Sequence, residues 1–129
     1  MRDTRYEIQD TKFGPLVSVL VPTFNRPSYF SEALASTLHQ SYKNLQVIVI
    51  NDGGEDVSDI VNFYSDPRVV FIDRKENRGK AASLNEALAT AKGKYIAYLD
   101  DDDLYYPNHI ETLVDALENQ TDRQVAYTD

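Results

Sequence analysis

Four consecutive aspartates, Asp100 to Asp103, follow directly on the apolar stretch YIAYL. Adjacent carboxylates repel and raise one another's pKa unless positive charge lies between them. A divalent cation meets that need, and an all-oxygen ligand set suits hard ions such as Mg2+ or Mn2+, which keep several waters and take one or two carboxylates plus substrate phosphates. The competing reading is a solvated acidic turn whose last members, Asp103 above all, cap the helix that Pro107 opens. Asp52 closely follows a second apolar stretch, LQVIVI. A carboxylate there either accepts hydrogen bonds from a ribose or the imide of a base or starts an Asx turn into Gly53-Gly54. Phe24, just past a third such stretch, either stacks on a base or belongs to the core. Arg78, Gly79 and Lys80 open a helix, where N–H groups, the dipole and two cations either meet a phosphate or form an exposed cap. His39 reads as a surface or cap residue, and His109 as a surface residue within reach of the acidic run. Neither histidine sits with a nucleophile-elbow sequence, so no Ser-His-Asp order emerges. The dinucleotide fingerprint G-x-G-x-x-G and the P-loop G-x-x-x-x-G-K-[ST] are both missing.

These side chains need elements to hold them. LVSVLVPTF, from Leu16, is too continuous for a half-exposed strand and suits one covered on both faces. Pro27 and Ser28 open a helix in which Phe30, Ala33, Leu34, Thr37 and Leu38 recur at spacings of three and four, ending near Gln40. Leu45 to Ile50 is a second buried strand that stops at Asn51-Asp52-Gly53-Gly54. Asp56 to Tyr64 reads as a short helix and Val69 to Ile72 as a strand. The helix after Arg78 carries Ala81, Leu84, Leu88 and Ala91 on one side, and Gly93 closes it as a left-handed C′ residue would. Tyr95 to Leu99 is a fourth strand, Pro107 to Glu118 a helix, and QVAYT near the end a fifth strand. Residues 1–15 lack period and read as an arm. Strict alternation with short connections predicts an α/β domain, a mostly parallel sheet with helices on both faces. Ligands of such sheets bind beyond the carboxyl ends of the strands. Those ends read Pro22-Thr23-Phe24-Asn25-Arg26, Asn51 to Gly54, Asp73-Arg74 and Asp100 to Asp103, an acidic and polar rim.

Composition narrows the partners. At 129 residues, 42% hydrophobic and 26% charged, the chain is a single domain. Thirteen Lys and Arg against twenty-one Asp and Glu give a net charge of −8, which speaks against nucleic acid. The absence of cysteine excludes disulfides, thiolate zinc sites and a thiol nucleophile, and fits a reducing compartment. No apolar run approaches the roughly 20 residues of a bilayer crossing, and MRDTRYEIQDTK carries no signal-peptide core. The expectation is a cytoplasmic protein, peripheral to the membrane at most.

Taken in order, VSVLVPTFNR, VIVINDGG, ENRGKAASLNEALATAKGKYIAYLDDDD and the proline of LYYPNHI resemble the family 2 glycosyltransferases from about Leu16 to the end. The resemblance implies a Rossmann-like GT-A fold that binds a nucleotide-sugar donor, mostly uridine-linked. Pro22, Thr23 and Phe24 would line the base and ribose pocket, Asp52 would bond the base, and Asn25, Arg78, Gly79, Lys80 and Asn85 would complete the donor site. Asp100, Asp101 and Asp102 would cover the D-x-D element. Asp102 comes first for Mn2+ or Mg2+, then Asp100, with Asp100 or Asp101 nearer the ribose and phosphates. The implied reaction is metal-dependent, inverting transfer of a sugar to a glycan, lipid or protein acceptor. The resemblance also implies a general base beyond Asp129, so residues 16–129 would be the donor-binding part without the acceptor half. The alternative is a catalytically silent module that self-associates, for example as a homodimer. Leu84 stands where many members carry Arg, and Gly54 where they carry Ser.

Overall fold

The computed structural model describes residues 14–119 and 125–126. The elements are β1 (Val17–Thr23), α1 (Pro27–Leu38), β2 (Leu45–Asp52), α2 (Ser58–Tyr64), β3 (Val69–Arg74), α3 (Lys80–Thr90), β4 (Tyr95–Tyr98) and α4 (His109–Asn119). The strands form one parallel sheet in the order β3-β2-β1-β4. Every residue of β1 and β2 is buried, as their unbroken β-branched runs require of central strands.

Alternation of side chains divides the core in two. Val17, Val19, Val21, Val47 and Val49 face α1 and α4 through Phe30, Leu34, Leu38, Ile110 and Val114. Leu20, Ile48 and Ile50 face the opposite way, onto α3 through Leu84, Ala87 and Ala91. Helices therefore cover both faces. Pro22 sits in a central strand without harm, because β4 ends at Tyr98, opposite Leu20, and the missing N–H of Pro22 points past that end. No helix among the described residues is long and apolar enough to cross a membrane.

Several sequence expectations need correction. Gly93 does not close α3 in the left-handed region: the capping residue is Ala91, in extended conformation. Gly93 is required by proximity, since a Cβ there would lie 2.6 Å from the Ser18 backbone nitrogen. In α3 the covered side is Ser83, Leu84, Ala87 and Ala91, while Ala81 and Leu88 are exposed. At about 100° per residue, those two positions fall roughly a quarter turn from the buried stripe. The last helix starts at His109 rather than Pro107, which lies in the preceding turn. The arm lies outside the described residues up to residue 13. Of the fifth strand only Val125 and Ala126 are described, in no regular element.

Candidate functional site

The chain leaves β1 for β2 and β3 and then places β4 on the other flank of β1. The carboxyl ends of β1 and β4 thus meet at the point where an open α/β sheet reverses its winding, the usual ligand crevice. A cavity of about 410 Å³ opens there. Pro22 and Thr23 from β1 and Phe24 just past it line it, with Asp52 from β2, Gly79 and Lys80 from the start of α3, and Asp100, Asp101 and Asp102 after β4. Asp52 and Asp102 share one cavity, although 50 positions separate them in the chain. Phe24 is 42% exposed and lines the cavity, which excludes the core reading.

The four aspartates divide by direction. Asp101 turns inward and is buried; its Oδ2 accepts from the Thr23 hydroxyl at 3.0 Å and the Phe24 N–H at 3.2 Å. It ties the β4 end to the β1 end. Asp100, Asp102 and Asp103 turn outward, with one carboxylate oxygen of each within 4.8 Å of the others. The Asp103 N–H donates to the Asp100 carbonyl at 3.1 Å, six residues before α4 begins, so Asp103 caps no helix. Arg26 Nη1 reaches Asp102 Oδ2 at 2.9 Å and lies 3.6 Å from Asp101 Oδ1. The Lys80 ammonium and the Tyr98 hydroxyl both donate to Asp100. Burial raises the Asp100 carboxyl, but these two hydrogen bonds outweigh it and hold the group below its ordinary value. The same bond to Asp100 holds the Lys80 ammonium well above the usual lysine range.

Asp52 is buried, and its two oxygens accept from the N–H groups of Arg78 at 2.9 Å and Gly79 at 2.8 Å. Arg74 Nη1 stands 3.5 Å from Oδ1. The alternative reading of Asp52 as an Asx-turn residue does not hold, since both its oxygens are taken by the start of α3; the loop is instead held by Asn51, whose Oδ1 accepts the Gly54 N–H at 3.1 Å. Those backbone donors at the start of α3 point at Asp52 and are not turned into the cavity for a phosphate, while Lys80 lines it. Gly53, at φ +73°, lets the Glu76–Asn77 backbone lie so close that a Cβ would meet the Asn77 nitrogen at 2.3 Å. Asp52 and Gly53 together clamp the segment that carries Gly79 and Lys80 into the cavity.

Three expected residues stand apart. Asn25, with φ 54°, turns its Oδ1 to the Glu55 N–H at 2.7 Å and braces the neighbouring loop. The Arg78 side chain is exposed, and Asn85 is exposed on α3; neither lines the cavity. Gly54 fits this bracing: a Cβ would come 2.8 Å from the Asn25 nitrogen. In return the cavity gains Arg26, Asn77 and Ser83. Arg26 belongs to the strand-end run that the sequence marks as rim, and Ser83 lies one helical turn after Gly79, a spacing that marks a shared face. His39 is the exposed C-cap of α1, as expected. His109 stacks on Tyr105 with ring centroids 4.3 Å apart and does not line the cavity.

A buried side chain two residues past the end of α1 fixes the loop after the aspartates. Gln40 donates to the Tyr106 carbonyl at 2.6 Å and the Ser36 carbonyl at 3.1 Å, and accepts the Ile110 N–H at 3.0 Å. The Ser41 N–H donates to the Pro107 carbonyl at 2.7 Å.

The sequence pattern of Glycosyl transferase family 2 matches residues 18–128. The chain belongs to that family. Among relatives, an uncharacterised glycosyltransferase of Rickettsia typhi is 38% identical over 119 residues, covering 92% of this chain and 37% of that protein. One from Haemophilus influenzae is 41% identical over 109 residues, covering 81% of this chain and 33% of the relative. The family 2 chain thus spans about a third of the length of these relatives. Among solved structures, it is similar to the Pyrobaculum calidifontis mannosyltransferase PcManGT in complex with GDP-Man and Mn2+, at 32% identity and TM-score 0.64, over 70% of this chain and 28% of that one. It is also similar to S. aureus TarS 1–349 in complex with UDP-GlcNAc, at 31% identity and TM-score 0.69, over 79% of this chain and 30% of the other. The α/β sheet is that of the GT-A glycosyltransferases.

Proposed function

We propose that residues 16–129 form the donor-binding part of a transferase that takes a nucleoside-diphosphate sugar, with UDP-sugar the first choice, together with Mn2+ or Mg2+. One observation carries this reading: Asp52, Phe24, Lys80, Asp100 and Asp102, from four separate chain segments, line a single cavity at the winding reversal of the sheet. Its supports are the family membership and the GDP-Man, Mn2+ and UDP-GlcNAc bound by the two similar proteins.

The residues present fit a hard divalent ion. Asp100, Asp102 and Asp103 offer only carboxylate oxygens, close together and open to solvent, which leaves room for retained waters and donor phosphates. A bound ion would supply positive charge against the negative charge that builds on the leaving diphosphate. Arg26 and Lys80 neutralise Asp102 and Asp100 in this structure and would be the cations closest to hand for the donor phosphates. Phe24 offers a face for base stacking. Asp52 offers the oxygen lone pairs left beside its two N–H donors to a base imide or ribose hydroxyl. In the transfer itself an acceptor oxygen attacks the anomeric carbon, its proton passing to a base, while the bond to the diphosphate oxygen breaks with its electron pair and the centre inverts. The acceptor is a glycan, lipid or protein hydroxyl, and a cytoplasmic location suits the donor.

Calorimetric titration with UDP, with and without Mn2+, tests the reading. Binding is expected to depend on Mn2+ and to weaken at least about tenfold in Asp102→Ala, a loss of roughly 1.4 kcal/mol or more. Absent binding, or Mn2+-independent binding unchanged in Asp102→Ala, would overturn it.

A second, apolar cavity of about 550 Å³ between β4 and α4 favours the alternative of self-association. A tight dimer in light scattering, indifferent to nucleotide, would select that alternative.

A further inference from the structure

Ser83 has no task in the reading above. Among the described residues, two buried side-chain polar atoms lack a hydrogen-bond partner, Arg74 Nη1 and the Ser83 hydroxyl. Arg74 Nη1 still lies within ion-pair range of Asp52. That leaves the serine. Several other helical hydroxyls bond back to the preceding turn: Thr37 to the Ala33 carbonyl, Thr90 to Glu86 and Thr112 to Asn108. Ser83 does not. A buried hydroxyl without a partner is rare in a native fold and calls for one, and Ser83 lines the cavity.

Its position says which part of a ligand it meets. The Gly79 N–H donates to Asp52, and the Gly79 carbonyl accepts from the Ser83 N–H at 3.1 Å, so a single backbone residue links the Asp52 carboxylate to the backbone of Ser83. The Asp52 carboxylate repels phosphate. The cavity's cations are gathered instead on the acidic run, Lys80 at Asp100 and Arg26 at Asp102.

We infer that the Ser83 hydroxyl is a hydrogen-bond contact for the nucleoside half, base or ribose, of the donor; the inference rests on the nucleotide-sugar reading above. A hydroxyl both donates and accepts, and its direction is set by one torsion with a few staggered wells. Either a base carbonyl or a ribose hydroxyl completes it.

The test is Ser83→Ala, titrated with UDP and with UMP in Mn2+, alongside thermal unfolding without nucleotide. The expected result is a three- to tenfold loss of affinity, on the order of one net hydrogen bond, equal for UDP and UMP. The nucleotide-free variant should melt no lower than the parent, because alanine removes an unpaired hydroxyl and is the better helix former. Unchanged UDP affinity, with the parent binding normally, overturns the role of Ser83 alone. A loss confined to UDP moves the contact to the terminal phosphate and overturns it also. A lowered melting temperature with unchanged affinity marks the hydroxyl as structural, against the inference. Failure of the parent protein to bind UDP overturns the donor-site reading itself.

Discussion

Replacing Asp52 by asparagine separates the two tasks its carboxylate has in this fold. Both oxygens accept backbone N–H groups, from Arg78 at 2.9 Å and Gly79 at 2.8 Å. An asparagine amide has one oxygen and one NH2, so whichever way it is placed one of those N–H groups faces a donor. The other bond survives in neutral form. A hydrogen bond to a charged group contributes about 1.5–3 kcal/mol, and a buried donor left unpaired costs about 1–3 kcal/mol. Arg74 loses its counter-charge at 3.5 Å but keeps Glu86 at 2.6 Å, which limits the damage on that side. The expected destabilisation is about 2–4 kcal/mol, a large share of the roughly 5–15 kcal/mol typical of a domain. Urea unfolding should show a lower midpoint at unchanged slope, and amide exchange should quicken at Arg78 and Gly79. A loss under about 1 kcal/mol, with both amides as protected as before, would refute the claim that Asp52 holds the loop, whatever happens to nucleotide affinity.

Other perturbations probe the rest of the rim. Gln40→Leu should cost about 2–4 kcal/mol in urea unfolding, because it strands the buried Ile110 N–H and the Tyr106 carbonyl, and it should weaken Mn2+ binding by loosening the loop after the aspartates. Gly53→Ala should cost more than about 3 kcal/mol, combining left-handed strain with a 2.3 Å approach to the Asn77 nitrogen; a variant that melts within a few degrees of the parent would contradict the close approach. Asp100, held below its ordinary 3.8, contributes stability that is present above that value and lost as pH falls through the lower folded value. Carboxyl-carbon NMR should show Asp100 titrating below pH 3.8, and Lys80→Met should move the midpoint upward.

Much of the fold was legible because burial on both faces leaves a direct mark in sequence. LVSVLV and LQVIVI suit strands covered on both faces, and the turn residues after them marked where loops reach the rim. Chemistry was legible where residue types crowd together, as in Asp100 to Asp103. Local patterns failed where a role depends on a partner far along the chain. Gly93 looked like a helix stop until the Ser18 backbone came near it. Asp52 looked like a turn-former or a ligand residue, and the structure adds a clamp on a segment 26 positions away.

By itself, then, the sequence determined that a parallel sheet would carry its polar residues to one rim and that this rim would be acidic, since periodicity and composition are properties of neighbours in the chain. Tertiary structure alone decided which aspartate turns inward to Thr23 and which three stay outward, that Arg26 answers Asp102, and that the Ser83 hydroxyl is left without a partner beside the cavity. The physical reason is that hydrogen bonds and ion pairs act over a few ångströms of space, and the strand order that creates that proximity is recorded in no stretch of sequence short enough to read locally.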